Sequence, residues 1–275
     1  GWSAVWVALS LAFAGLLWWY LAGAAGAEIA REKTLAFLTG YLIEKLLSVD
    51  NIFVFLMLFT YFAVPPELQR RTLVYGVLGA IALRVTMILI GAWLIAQFHW
   101  IIYVFGLFLL VTGAKMLFFA GDKPDLEKNP ALRWMRGHLA VTPGFEGERF
   151  WVLRDGVRTF TPLFLVLVMI AITDIVFAVD SIPAIFAITG DPFIVMTSNI
   201  FAVLGLRALY FVLADMADRF HLLSYGLALV LMFIGAKMLL IDFFKIPVFL
   251  ALGVVLALIA ASIAASLVRR PKPGG

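Results

Sequence analysis

A chain of 275 residues that is 64% hydrophobic and only 14% charged, with a mean hydropathy of +1.06, is too apolar to present a water-facing surface; an ordinary soluble domain carries about 25% charged residues. These figures exclude a cytosolic enzyme, a nucleic-acid-binding domain and a disordered chain, and the net charge of +4 fits loops held on one side of a membrane. Cysteine is absent, so disulfides, thiolate metal sites and iron–sulfur clusters are excluded too.

Crossing the hydrocarbon layer takes about 20 apolar residues as helix. Runs of that kind predict an all-α polytopic membrane protein of about eight spans: 2–23, 35–63, 72–96, 99–120, 160–188, 194–214, 221–241 and 246–268. Breakers separate most of them: Pro65-Pro66, Gly121-Asp122, Gly190-Asp191-Pro192 and Ile246-Pro247. Continuous apolar runs, rather than alternation, argue against a β-barrel. The first span lacks the basic start and clear cleavage site of a signal peptide. Trp18, Trp19, Trp100 and Trp134 read as an interfacial belt.

Eight spans put alternate loops on opposite sides. One side carries thirteen cations, including Arg70, Arg71, the seven of the 121–159 loop, Arg219 and the tail. The other carries Arg31, Lys33 and Lys245. The positive-inside rule makes the first side cytoplasmic, with the long loop and both chain ends. In that loop, Pro130 to Leu139 reads as an amphipathic helix anchored on the membrane by Trp134, Met135 and Leu139. Phe150 to Thr161 reads as a β-hairpin around Asp155-Gly156.

An approximate internal duplication is the most informative pattern. Glu44 and Asp50 in the second span match Asp174 and Asp180 in the fifth, at the same spacing. Ser-Val-Asp-Asn (48–51) answers Ala-Val-Asp-Ser (178–181), Arg84 answers Arg207, and Gly-Ala-Lys-Met recurs at 113–116 and 235–238. His99 and His221 precede those last two motifs by the same 14 residues. Repeat 1 covers about 35–120 and repeat 2 about 160–243, with 2–23 and 246–268 as extra spans of a single transmembrane domain. Three spans per copy is an odd number, so the second copy enters the membrane from the opposite side. Inverted repeats are typical of transporters whose sites lie at the bilayer midplane.

A charge at the bilayer centre costs about 2.5–3.5 kcal/mol on insertion scales, so Glu44, Asp50, Asp174 and Asp180 are expected to face the bundle interior. They have two readings: metal ligands, or structural ion-pair partners of Arg84 and Arg207. On a regular helix Glu44, Ser48 and Asn51 share a face, as do Asp174 and Ser181, while Asp50 and Asp180 lie about 120° away. Convergence would need either local unwinding, which Pro183 suggests in the second copy, or positions on opposite sides of a shared cavity. Carboxylates with Asn51 and Ser181 make an oxygen-rich site for Mg²⁺, Mn²⁺ or Ca²⁺; protons or Na⁺ would use the same groups. Arg84 and Arg207 would organise the acids or repel a cation from one state. Lys115 and Lys237 are read as snorkelling to the interface, and His138 shows no partner. No hydrolase triad, P-loop or zinc motif supports an enzyme.

The stretches 43–51 (IEKLLSVDN), 177–185 (FAVDSIPAI) and 198–208 (SNIFAVLGLRA) resemble the TerC family, and especially its bacterial Alx branch, over nearly the whole chain. The resemblance implies an inner-membrane protein of manganese export and homeostasis, with members named for tellurium resistance. It also implies that Glu44, Asp50, Asp174 and Asp180 bind the metal. Family members usually have one more span upstream, which would make nine. Their second motif commonly reads Glu-x-x-Asp, whereas this chain has Ala171 one turn before Asp174, a change expected to weaken binding or alter the ion. The sequence reading is therefore an exporter of Mn²⁺ working by alternating access, with protons as the coupling ion. Its partners are the ion and the bilayer; neither nucleic acid nor a covalently bound cofactor is expected. A scaffold acting through the 121–159 loop and a cation channel are the alternatives.

Overall fold

The computed structural model of the protein describes residues 2–118, 129–154, 156–205 and 222–268; the side chains of residues 2, 3, 49–51 and 53 also lie outside the described residues. The chain forms α1 (Trp2–Ala24), α2 (Ala27–Tyr61), α3 (Pro66–Gln97) and α4 (Ile101–Phe118). The short α5 (Pro130–His138) and a hairpin of β1 (Trp151–Arg154) and β2 (Val157–Phe160) follow. The remainder is α6 (Pro162–Phe186), α7 (Pro192–Leu204), α8 (Leu223–Leu239) and α9 (Val248–Val268). Helices α3, α5, α6 and α7 each begin on a proline, where a missing N–H costs nothing and φ is already helical. Asp191 caps α7 by accepting from the Phe193 amide at 3.0 Å.

The distribution of polarity is that of a protein in lipid. Leu16, Trp19, Leu78, Trp93, Leu107 and Leu256 are exposed, while Glu44, Arg84, Asp174, Ser198 and Asn199 are buried. Helices α1, α3, α4, α6 and α9 are long and apolar enough to cross a membrane. The 35-residue α2 is longer still but is interrupted by Glu44, Lys45 and Asp50. It begins at Ala27, well before the expected 35, and α3 begins at Pro66 rather than 72, because the helical backbone also takes in polar turns that the apolar runs leave out, around Glu28 to Lys33 and Glu67 to Arg71. Helix α7 has 13 residues, about 20 Å of helix, among the described residues, and positions 206–221 after it lie outside them. Part of the expected spans 194–214 and 221–241 lies outside the described residues, so the count of eight rests on the sequence.

Contacts along the helices set their directions. Gly76 and Gly91 of α3 lie against Ile170 and Phe186 of α6, so these two run the same way. Lys33, Gly40 and Lys45 of α2 meet Asp191, Ser198 and Ala202 of α7 in the same order. By contrast α4 and α8 run oppositely. Gly113 sits on the backbone of Ala228 and Met232, and Gly235 on the backbone of Gly106 and Leu110. Gly106, Leu110 and Gly113 stand to Ala228, Met232 and Gly235 at one fixed offset, so the two close approaches are mirror uses of the Gly-Ala-Lys-Met motifs. Helix α1 closes over α2 and α7 through Phe13, whose ring lies 5.0 Å from Phe37 and 4.7 Å from Phe201.

The loop folds onto one end of this bundle. Asn129 caps α5, accepting from the Ala131 and Leu132 amides. Leu132 and Met135 are buried against the bundle, whereas Trp134 is exposed and stacks on His138, whose Nδ1 also lies 2.9 Å from the Trp134 carbonyl. The expected anchoring by Met135 and Leu139 is thus corrected: Met135 is buried with Leu132 against the bundle and Leu139 packs partly buried on the same core, while Trp134 stays exposed. The hairpin pairs Trp151 with Phe160 and Arg154 with Val157. Its turn needs Gly156, at φ 76°. Arg71 pairs with Glu148, and Tyr75 meets Phe150 edge-on at 5.4 Å, fixing the hairpin to the start of α3.

Candidate functional site: a buried ion cluster

Helices α2, α3, α6 and α7 each send one polar side chain to a common point in the apolar interior. Arg84 of α3 is 1% exposed. Its Nη2 donates to Asp174 Oδ1 of α6 at 2.7 Å, and its Nε reaches both Asp174 oxygens at 3.2 and 3.1 Å. Its Nη1 donates to Glu44 Oε1 of α2 and, at 3.3 Å, to Asn199 Oδ1 of α7. Asn199 Nδ2 in turn donates to Glu44 Oε2 at 3.0 Å. A planar guanidinium suits this arrangement because its fork donates in several directions at once. Among the described residues, two buried carboxylates against one guanidinium leave an excess of one negative charge.

Of the residues expected in the site, Glu44 and Asp174 are therefore brought together, with Arg84 between them. Asp180 is not with them. It lies half-buried on another face of α6, near Thr112 and Lys115 of α4, the 120° divergence that a regular helix requires. Helix α6 runs on through Pro183 to Phe186, so the expected unwinding is absent there; Pro183 removes one backbone donor without ending the helix. Ser181 is 1% exposed and its hydroxyl has no hydrogen-bond partner. The hydroxyl of Ser48, one turn from Glu44, is likewise buried and unpartnered. The side chains of Asp50 and Asn51, and the whole of Arg207 and His221, lie outside the described residues. Among the described residues no three acidic or histidine side chains form a metal-holding group.

Asn199 escaped the sequence reading although it stands within the 198–208 stretch. A lone amide inside an apolar helix was the available signal. The expected snorkelling of Lys237 is also corrected: it is buried and donates to the Ala187 carbonyl at 3.0 Å, because α8 carries it toward the end of α6 rather than to the surface. Lys45 donates to the Ala202 carbonyl at 3.3 Å, near the end of α7.

Cavities of about 460 Å³ open at both ends of α2. One is lined by Glu32, Lys33, Ala36, Ile188 and Asp191, the other by Phe62, Arg136, Val141, Thr142 and Leu165. Lys33 and Asp191 pair at 2.7 Å beside the first. Partial burial pushes the Asp191 carboxyl up, but Lys33 and the amides of Phe193 and Ile194 outweigh it and hold it below the usual carboxylate range.

The sequence profile described as the integral membrane protein TerC family matches residues 29–273. A Salmonella typhi protein named putative membrane-bound redox modulator Alx is 58% identical over 263 residues, covering 96% of this chain and 82% of its own length. The Escherichia coli K12 protein of the same name is 58% identical over 258 residues, covering 94% and 80%. An uncharacterized membrane protein of Myxococcus xanthus, STKORF319, is 47% identical over 269 residues, covering 98% and 82%. No solved structure matches.

Proposed function

The chain belongs to the integral membrane protein TerC family, and on that premise we propose that it exports divalent metal ions, Mn²⁺ first among them, across a bacterial inner membrane. The observation that carries this reading is the buried polar cluster of Glu44, Asp174, Arg84 and Asn199, one residue from each of four helices, inside an otherwise apolar bundle. Intramembrane carboxylates with no solvent are expensive and mark ion pathways. Hard oxygen donors suit Mn²⁺, Mg²⁺ or Ca²⁺.

The relatives' name supports a redox-active cargo. These 275 residues include no cysteine to supply a redox influence, and movement of manganese would supply one. The opposed directions of α4 and α8, their matched glycine contacts and the cavities at the two ends of α2 support inverted repeats working by alternating access. In this reading the basic 121–159 loop is cytoplasmic. Glu44, Asp50, Asp174 and Asp180 take the ion in turn as the helices move, with Asn51 and Ser181 as further oxygen donors and protons as the coupling ion.

The test is transport of Mn²⁺ by the purified protein in vesicles. The wild type is expected to move the ion, and D50A and D180A are each expected to abolish that movement. Undiminished flux in both variants refutes the proposed ligand set. Flux that fails to saturate with ion concentration favours a channel over a carrier.

A further inference from the structure

Building on the reading of the chain as a cation carrier, we infer that Arg84 is a tethered internal cation. It covers the Glu44 and Asp174 carboxylates when no metal is bound, leaves them for metal to enter, and returns so that the empty carrier can change sides.

Glu44 Oε1 and both Asp174 oxygens accept from Arg84, and Glu44 Oε2 accepts from Asn199. A divalent ion needs such oxygens in direct contact, at about 2.0–2.6 Å. Metal and guanidinium therefore compete for the same atoms.

Charge gives the same exclusion. Among the described residues the cluster holds two carboxylates and one guanidinium. A divalent ion added beside Arg84 would turn its excess from negative to positive, whereas a divalent ion in place of Arg84 makes it neutral. Unbalanced charge is costly where water is excluded. Conversely, withdrawal of both cations would leave two carboxylates in the apolar barrier during the return step, of which one coupling proton neutralises only one. Arg84 removes that cost, and as an arginine it does so without losing its own charge.

The third observation is the pair of unspent oxygens. Ser48 is 0% exposed and Ser181 1%, and neither hydroxyl has a partner among the described residues. Ser48 follows Glu44 by one turn on α2, and Ser181 follows Asp174 by two turns on α6, each on the carboxylate's own face. A finished structural ion pair has no use for them, since buried polar groups are normally satisfied. They are donors for a cation that displaces the guanidinium.

The experiment uses the full chain in phosphatidylethanolamine–phosphatidylglycerol vesicles, with Mn²⁺ as the probe and R84Q and R84K as variants. Net Mn²⁺ efflux, Mn²⁺/Mn²⁺ exchange and the Mn²⁺-induced rise in Tm in detergent are measured for each. In R84Q net efflux is expected to fall at least about tenfold while exchange continues, because only the empty carrier needs the guanidinium. Its apparent affinity for Mn²⁺ is expected to tighten about tenfold, since the occluded fraction disappears. R84K restores net efflux in part. If R84Q folds only when Mn²⁺ is present, the ion is replacing the missing charge, as inferred. A Mn²⁺-induced Tm rise in R84Q no larger than in the wild type overturns the inference, as does parallel loss of exchange and efflux in a folded variant. Failure of Mn²⁺ to recover R84Q, while E44Q/D174N/R84Q folds, overturns it as well. A wild type that moves no Mn²⁺ in either mode overturns the transport reading itself, and is distinguished by needing no variant.

Discussion

Replacing Arg84 by methionine in the absence of metal tests how the buried cluster contributes to stability. The change keeps most of the side-chain length but strips Asp174 of all three of its contacts with Arg84 and Glu44 of one of its two partners. Both carboxylates remain where solvent does not reach, at 0% and 2% exposure. Breaking a buried pair from one side costs about 3–5 kcal/mol, because the remaining charge is uncompensated. At about 2–4 °C per kcal/mol for a chain of roughly this size, Tm should fall by roughly 6–20 °C. Glu44→Gln behaves differently. It keeps the side-chain shape and leaves Arg84 balanced against Asp174 alone, so the loss should be near about 1 kcal/mol, the net worth of an ordinary hydrogen bond. The triple variant R84M/E44Q/D174N replaces every charge by a neutral group and should recover most of what R84M loses. Thermal unfolding of detergent-purified protein with chelator present, followed by tryptophan fluorescence, reads all four. An R84M within about 2 °C of the wild type, or a triple variant no more stable than R84M, refutes the reasoning.

Gly113→Ala should destabilise by about 1–3 kcal/mol, since its new methyl would lie 2.7 Å from the Ala228 carbonyl oxygen and 2.9 Å from the Met232 nitrogen, backbone atoms that no rotamer relieves. Gly15→Ala, with nothing within 4 Å, should be neutral or stabilising in the same unfolding assay. The Lys33–Asp191 pair, partly exposed, should contribute at most about 1 kcal/mol. Because the Asp191 carboxyl is held below its ordinary value, that contribution is present above about pH 3.9 and is lost as pH falls through the lower folded value. The Tm difference between wild type and D191N should therefore be constant from pH 7 to 5 and vanish in stronger acid. Leu132→Asp should undock α5, since Leu132 is 1% exposed; protease cleavage within 129–154 should rise, while Trp134→Asp, on the exposed side, leaves it unchanged. Ala171→Glu adds a carboxylate one turn before Asp174 and should tighten Mn²⁺ binding in calorimetry; unchanged or weaker binding counts against a ligand role for that position.

Much of the architecture was legible from composition and local chemistry. An apolar chain in lipid has to form helices or a closed barrel, since only these satisfy the backbone there, and continuous apolar runs select helices. Prolines at 66, 130, 162 and 192 mark helix starts, and Asp155-Gly156 marks the hairpin, because their effects act within a few residues. The similar motifs also singled out Glu44 and Asp174 together. Partnership was a different matter. Sequence periodicity placed Ser181 with Asp174 and Asp180 on another face, but could not say which arginine would meet the carboxylates, or that Asn199 would bridge them. Those facts depend on α3 running alongside α6 and α2 alongside α7, which is decided by how glycines 40, 76 and 91 let the helices approach. It was likewise packing, not pattern, that buried Lys237 and turned the 132/135 face of α5 onto the bundle. The sequence by itself determined the solvent and the helices, because those follow from near neighbours along the chain. Only the tertiary structure decided which charges share the interior, because in a low-dielectric core a charge is defined by the partner that packing brings to it.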